Sequence, residues 1–293
     1  MDASSQNPSP DHEWTRLADL AAVEQLVRRF RVDQIIFLLP PEHHRHLFPL
    51  LARLAPRPVR LRVVAPAPPP PGLGFTWEAV GNGWLVDLWT PALPGWQRRL
   101  KRLVDVCASG IGLLLAAPLL AVIALAIKLE DGGPVFYQSR RVGENCRAFD
   151  MLKFRSMQVD ADRLVSEGES SPTGTFYKRE DDPRVTRVGR FLRRTSLDEL
   201  PQLWNILVGD MSLVGPRPEL PWLLERHPIW NWPRFAVPQG LTGWWQVNSR
   251  AETPGQYLHP EDDLYYARRC SPWLDLRILW RTVAVVLQGK GAY

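Results

Sequence analysis

The sequence predicts an α/β fold class: a small α/β domain with a re-entrant membrane helix on its N-terminal side, preceded by a partial Rossmann-like α/β unit. Three observations lead there. Short apolar stretches with the period of strands alternate with stretches of helical period. Val106 to Ile127 is uncharged and long enough for a bilayer. Beyond it, Asp198 and Glu199 directly follow a series of arginines, which marks a soluble domain with anionic business.

The first unit is expected over residues 1–96. Leu17, Leu20, Ala21, Val23, Glu24, Leu26, Val27 and Phe30 have the spacing of an amphipathic helix. Val32 to Pro40 follows as a buried strand of parallel type, and Val59 to Val64 alternates as a second strand. A helix over Glu42 to Leu54 would join them. No glycine-rich phosphate loop follows the first strand, so no nucleotide site is predicted there. His43, His44 and His46 are read as a solvated helix face, because no fourth ligand accompanies them. Pro66 to Pro71 is a stiff spacer. Trp77 to Trp89 then reads as a hairpin turning at Gly81-Asn82-Gly83.

The second unit is expected over 97–293, with its membrane helix at about 103–128. As a continuous helix Val106 to Ile127 would reach ~33 Å, enough for a ~30 Å hydrocarbon core. Both flanks are basic: Arg98, Arg99, Lys101 and Arg102 before it, and Lys128, Arg140 and Arg141 after it. Basic flanks prefer the cytoplasmic side, here at both ends. Pro118 falls in the middle and withholds a backbone donor from Leu114. A helix that bends at Ala117-Pro118 and leaves by the face it entered satisfies both facts; a plain span with a tolerated proline is the alternative. After the Gly132-Gly133-Pro134 turn, Val135 to Gln138 and Phe149 to Arg155 read as paired strands. Arg163 to Tyr177 reads as loop or short helix, and Pro201 to Leu207 as a helix ended by Gly209-Asp210. Trp273 to Leu287 reads as an apolar helix, suited equally to a membrane surface or to a core.

The totals bound the chemistry. A net charge of +5 and 13 tryptophans favour anionic and interfacial partners. The three cysteines, Cys107, Cys146 and Cys270, are odd in number and far apart, as reduced thiols of a cytosol-facing protein are. The polar N-terminus lacks the pattern of a signal peptide. Nucleic-acid binding would explain the charge but not the apolar run, and a docking scaffold would have no need of Asp198 and Glu199.

Ser196-Leu197-Asp198-Glu199 has the spacing of a helix capping box, and that accounts for the two acids by itself. Their setting adds a second reading. Arg184, Arg187, Arg190, Arg193 and Arg194 precede them at nearly three-residue intervals. So many like charges repel one another unless they face anions, and arginine forks match phosphate oxygens. A carboxylate can attack phosphorus once cations and a divalent metal offset the negative charge. Arg217, between Pro216 and Pro218, is either held for such a role or simply exposed on a turn. In Gly240 to Arg250, one of Trp244 and Trp245 is expected at an interface.

Several motifs, in this order, carry a resemblance. They are Lys101-Arg102-Leu103-Val104-Asp105, Lys153-Phe154-Arg155-Ser156-Met157, Thr195 to Gln202, Gly209 to Pro218, Thr242 to Asn248 and Asp263-Leu264-Tyr265-Tyr266. From about Gln97 to Tyr293 the chain resembles the bacterial sugar transferases, the polyprenyl-phosphate hexose-1-phosphate or monotopic phosphoglycosyl transferases. The resemblance implies transfer of a sugar-1-phosphate from a UDP-sugar to undecaprenyl phosphate, with release of UMP. This is the first membrane step of exopolysaccharide, capsule or O-antigen assembly, on the cytoplasmic face of the bacterial inner membrane. It implies Asp198 as nucleophile and Mg²⁺ ligand (Mn²⁺ as substitute) and Glu199 as its partner. Lys153, Arg193, Arg217, Arg250 and Asp263 match substrate- or phosphate-binding positions. Pro118 matches the break of a re-entrant helix. Ala117 replaces the serine that many members carry there, and Pro238-Gln239-Gly240 replaces Arg-Pro-Gly. The N-terminal unit is assigned a regulatory or dimerisation role, which admits a homodimer. No nucleic-acid partner is expected.

Overall fold

The structure is a computed structural model. It describes residues 34–38, 60–68, 75–89, 93–159, 182–221, 229–248 and 260–287, with Val23, Arg29, Val32 and Ala161. The expected helix over Glu42 to Leu54, the three histidines and the Arg163 to Tyr177 segment lie outside the described residues.

Four N-terminal strands form one sheet: β1 (Gln34–Phe37), β2 (Arg60–Ala65), β3 (Trp77–Val80) and β4 (Gly83–Trp89). Their order is β1-β2-β4-β3, with β1 and β2 parallel and the β3–β4 hairpin antiparallel, turning at Gly81. The parallel pair and the hairpin agree with the sequence. The burial of β1 does not: it is an edge strand, with Ile36 and Leu38 exposed. Leu61, Val63, Val86 and Leu88 face inward and form one apolar cluster with Val142, Cys146, Trp232 and Phe235 from the rest of the chain. The N-terminal sheet and the C-terminal half therefore share a core.

Helix α1 (Gly95–Asp131) contains the apolar run and continues through Pro118 to Gly132, whose φ of 72° closes it. Leu114, Leu115, Leu119, Val122, Leu125 and Leu129 are exposed along it. Both halves of α1 nevertheless dock on the domain that follows. Leu113 joins the cluster of Phe149, Met151, Leu203 and Ile206. Ile123 and Ile127 are buried against Phe154 and Leu192. At the far end Asp131 pairs with Arg155, and Glu130 accepts from the Arg187 amide at 2.8 Å.

The domain itself is built around a hairpin, β5 (Phe136–Val142) and β6 (Ala148–Phe154), in antiparallel register from Phe136↔Phe154 to Val142↔Ala148. It continues with α2 (Arg187–Thr195), a 3₁₀ turn (Leu197–Glu199), α3 (Gln202–Val208) and β7 (Ser212–Val214). A 3₁₀ segment (Ile229–Ala236), β8 (Gly240–Thr242), α4 (Trp244–Asn248), α5 (Pro260–Arg269) and α6 (Pro272–Leu287) complete it. Asn205 of α3 ties helix to hairpin: its Oδ1 accepts from Leu152 N and its Nδ2 donates to Asp150 O, both at 2.8 Å. Helix α6 combines the two fates open to it. Ile278 is fully buried, while Trp273, Leu276, Trp280 and Val283 present an exposed apolar face. The three cysteines are free thiols.

Candidate active site

Strand β6 brings Lys153 to the site. Phe149, Met151 and Lys153 alternate onto one face, the first two in the core and the lysine at its edge. Across from it, α2 ends at Thr195 and the chain reverses at Ser196, whose φ of 56° is uncommon for a residue other than glycine. The reversal sets Asp198 and Glu199 on a single 3₁₀ turn between two helices. This corrects the capping-box reading: Ser196 closes α2, and its side chain makes no cap to the turn that follows.

Glu199 is the focus of the cations. Its Oε1 accepts from Lys153 Nζ at 2.9 Å and from Arg217 Nη2 at 2.8 Å. Burial opposes its ionisation, but the charges of Arg217 and Lys153 and their hydrogen bonds overcome that and hold the carboxyl well below its usual range. Asp198 lies beside it, within electrostatic reach of Lys153, Arg193 and Arg217. Arg193 is oriented by its Nε, which donates to Ser156 Oγ at 2.8 Å.

Arg217 depends on a tight crossing of loops. Gly215 N donates to Thr242 O at 2.9 Å and Gly240 N to Pro216 O at 2.8 Å. A Cβ on Gly215 would lie 2.1 Å from the Pro238 carbonyl oxygen, so only glycine allows this approach. Pro216 and Pro218 then fix the backbone on either side of Arg217.

Lys153, Arg193, Asp198, Glu199 and Arg217 are thus assembled in one place. Asp263 is sited differently. It is buried on α5, and its Oδ2 lies 2.8 Å from Arg234 Nη2. Burial, with Glu219 and Asp262 nearby, pushes its carboxyl up to about 7 against the pull of Arg234. Arg250 lies outside the described residues. Trp245 is buried, whereas Trp244 is half-buried and stacks on Tyr265 at 4.9 Å; Trp204, Trp273 and Trp280 are among the exposed tryptophans.

Sequence reasoning passed over Arg234 and saw in Arg141 only a basic flank of the helix; Glu219 is ion-paired with Arg234 at 2.9 Å. Burial lowers the Arg141 guanidinium to about 10, with the Arg217 charge adding to the effect and Glu219 opposing it. Arg234 carried a usable signal: a cation between Trp232 and Phe235 in an apolar stretch needs a buried partner.

Among the described residues, no cluster of three or more His, Cys, Asp or Glu side chains could hold a metal by itself. A carboxylate such as Asp198 would suit a magnesium ion that completes its shell with substrate phosphate oxygens and water.

Fold and site together define an α/β domain, docked on a helix long and apolar enough to cross a membrane, that sets adjacent carboxylates among a lysine and two arginines. The chain belongs to the bacterial sugar transferase family, whose pattern it matches over residues 96–289. It is 38% identical over 288 residues to the undecaprenyl-phosphate glucose phosphotransferase of Komagataeibacter xylinus, covering 92% of this chain and 52% of that protein. It is 40% identical over 221 residues to the UDP-glucose:undecaprenyl-phosphate glucose-1-phosphate transferase of Escherichia coli K12, covering 71% and 45%. It is 38% identical over 199 residues to the UDP-N-acetylgalactosamine-undecaprenyl-phosphate N-acetylgalactosaminephosphotransferase of Aeromonas hydrophila, covering 66% and 45%. The chain spans about half the length of these curated relatives.

Proposed function

We propose that this protein is a phosphoglycosyl transferase that moves a sugar-1-phosphate from a UDP-sugar to undecaprenyl phosphate. The observation that carries the reading is Glu199 held between Lys153 and Arg217 with Asp198 beside it. A carboxylate so fixed cannot swing away, and the cations that fix it also offset a diphosphate's charge.

In the proposed reaction an Asp198 carboxylate oxygen attacks the sugar-bearing phosphorus. The bond from that phosphorus to the bridging oxygen breaks, and UMP leaves with the oxygen and its electron pair. A phosphosugar ester on Asp198 remains. An oxygen of undecaprenyl phosphate then attacks the same phosphorus, and the Asp198 carboxylate departs. Arg193, Arg217 and Lys153 stabilise charge on the phosphoryl oxygens. Magnesium, held by Asp198 and the donor's phosphates, would supply the remaining charge neutralisation. Asp263 and Arg250 are assigned to the binding of the donor only through the family pattern.

The same reading places the domain on the cytoplasmic face of the inner membrane. Helix α1 docks on the domain up to Leu113 and again from Leu120. The undocked stretch between them rises about 9 Å at 1.5 Å per residue, far short of the ~30 Å of a hydrocarbon core. A helix held on both sides of Pro118 by one soluble domain fits entry into and exit from a single leaflet. The pathway role is the first membrane step of a surface glycan.

The test is UMP release in detergent with undecaprenyl phosphate and a panel of UDP-sugars. UDP-glucose heads the panel, because two relatives matched over more than nine tenths of this chain have glucose in their names. Release that requires the lipid acceptor and stops in excess chelator is expected. No release from any UDP-sugar, or full release in chelator, would overturn the reading or its metal requirement respectively.

A further inference from the structure

We propose that Arg234 is a positioning residue that holds Arg217 on Glu199, and that Asp263 is the counter-ion of Arg234 instead of a ligand of the donor phosphates. The proposal rests on the phosphoglycosyl transferase reading and assigns roles within that site.

Arg234 is a buried hub, 4% exposed. Its Nη1 donates to Glu219 Oε2 at 2.9 Å, and its Nη2 donates to the Arg217 carbonyl oxygen at 2.9 Å while lying 2.8 Å from Asp263 Oδ2. The bond to the Arg217 carbonyl matters most. Arg217 lies between two prolines, so its backbone has little freedom left, and a donor on its carbonyl removes the rotation that remains. Its guanidinium then reaches Glu199 Oε1 at 2.8 Å. The contacts run without a gap from Asp263 through Arg234 and the Arg217 backbone to the carboxylate beside the nucleophile.

Arg234 is itself immobilised. Trp232 and Phe235, on either side of it, are buried in the core shared with the N-terminal sheet. Its carbonyl accepts from Gln239 Nε2 at 3.0 Å. A guanidinium is suited to the task, because its planar fork can serve two carboxylates and a carbonyl at once, which an ammonium cannot do in the same geometry.

The surroundings of Asp263 argue against a phosphate-facing role. It is 2% exposed, and one of its oxygens is already on Arg234. Asp263 Oδ1 finds no hydrogen-bond partner among the described residues. A buried carboxylate without an intervening cation repels a phosphate, whereas one paired with Arg234 tempers the desolvation of that guanidinium.

The test uses Arg234→Lys and Asp263→Asn in the full chain. Arg234→Lys is expected to keep the fold and lower kcat ~30–100-fold with donor KM within ~3-fold, the scale of a displaced charge-stabilising group. Asp263→Asn keeps an oxygen acceptor for Arg234 and is expected to lower kcat by less than ~5-fold, and the double variant to be no worse than Arg234→Lys alone. A folded Arg234→Lys with wild-type kcat would overturn the proposal. So would Asp263→Asn raising the magnesium or donor requirement more than ~10-fold with Arg234 intact. A crystal structure of Arg234→Lys supplies a readout independent of turnover. Arg217 is expected out of hydrogen-bond reach of Glu199, and an undisturbed pair would sink the idea. If Arg234→Lys does not fold, Arg234→Met/Glu219→Gln/Asp263→Asn removes the three charges together and is read by the same two criteria. Failure of the unsubstituted protein to release UMP would count against the transferase reading alone, because the crystallographic arm still decides this one.

Discussion

Lys101, near the start of the apolar helix, donates from its Nζ to the carbonyl oxygen of Val214 across 2.8 Å. One turn further on, Asp105 Oδ1 accepts from Ser212 Oγ at 3.0 Å and from Leu213 N at 2.9 Å. Residues four apart share a helix face, so both ends of the Lys101-Arg102-Leu103-Val104-Asp105 run grip β7. That strand leads directly into Gly215-Pro216-Arg217. The helix therefore fixes the register of the strand whose continuation carries Arg217, one of the cations on Glu199.

Lys101→Met removes this grip and leaves Asp275, 2.7 Å from Nζ, without its cation. Uncompensated charge at so buried a pair should cost about 3 kcal/mol. Thermal unfolding in detergent should show a clearly lowered midpoint. An unchanged midpoint would mean that the contact is ornamental to stability.

Asp198→Asn should abolish turnover while the fold persists. In the proposed mechanism this substitution removes nucleophile and metal ligand together, so kcat should fall at least ~10³-fold. The measurement is UMP release alongside a thermal-unfolding control. Near wild-type release from folded Asp198→Asn would remove Asp198 from the nucleophile's role.

Glu199→Gln should destabilise the protein in a pH-dependent way. The folded pKa of Glu199 lies well below its ordinary value because Arg217 and Lys153 outweigh its burial. Its contribution is therefore complete above the unfolded carboxyl's pKa of about 4.3 and is lost as pH falls toward the folded value. The stability gap between wild type and Glu199→Gln should be full at neutral pH and shrink toward pH ~3. A gap that stays constant, or widens on acidification, would show that Glu199 does not carry this linkage.

Much of the fold was legible because local patterns there coincide with tertiary demands. The β5–β6 pairing was legible although β5 runs on to Val142, past the Gln138 expected, and α3 ended where Gly209, at φ 101°, had to end it. Of the dense arginine series Arg193 is set near Asp198 while Arg184 pairs with Asp182, and Lys153 and Arg217 come from separate motifs. Long-range contacts were not. Nothing local announces that Arg234 reaches Glu219 and Asp263, or that Gly215 and Gly240 meet face to face. The capping-box reading failed for a related reason. The Ser-to-Glu spacing fits a helix start, but α2 already ends at Ser196, and its left-handed backbone leaves only a 3₁₀ turn. The edge position of β1 was hidden because an apolar run looks the same at the centre or the margin of a sheet.

Gly189→Ala should disrupt the seat of α2. A Cβ there would fall 2.0 Å from the backbone oxygen of Ser156, which also accepts from Thr186 N at 3.2 Å. The helix must shift outward, drawing Arg193 away from Ser156 Oγ. Overpacking of this kind costs ~1–3 kcal/mol, so a lower unfolding midpoint and weaker turnover should appear together. Full stability and activity would mean that α2 does not sit this close.

Single cysteines at Glu78 and Arg147, both outside α1 and on opposite sides of it in sequence, should report one compartment. The background would have Cys107, Cys146 and Cys270 replaced. Because α1 docks on one domain on both sides of Pro118 and its basic residues flank it at both ends, neither site should react with an impermeant thiol reagent in intact cells. Both should react once the membrane is opened. Pro118→Leu supplies the missing backbone donor to the Leu114 carbonyl and favours a helix that runs straight on. Molecules that then cross must also part the core that Leu61 and Val86 share with Val142 and Cys146, so they should expose one site and lose activity together. Labelling of only one position in the protein with Pro118 intact would establish a true crossing, and the two docked halves of α1 would then require a different explanation.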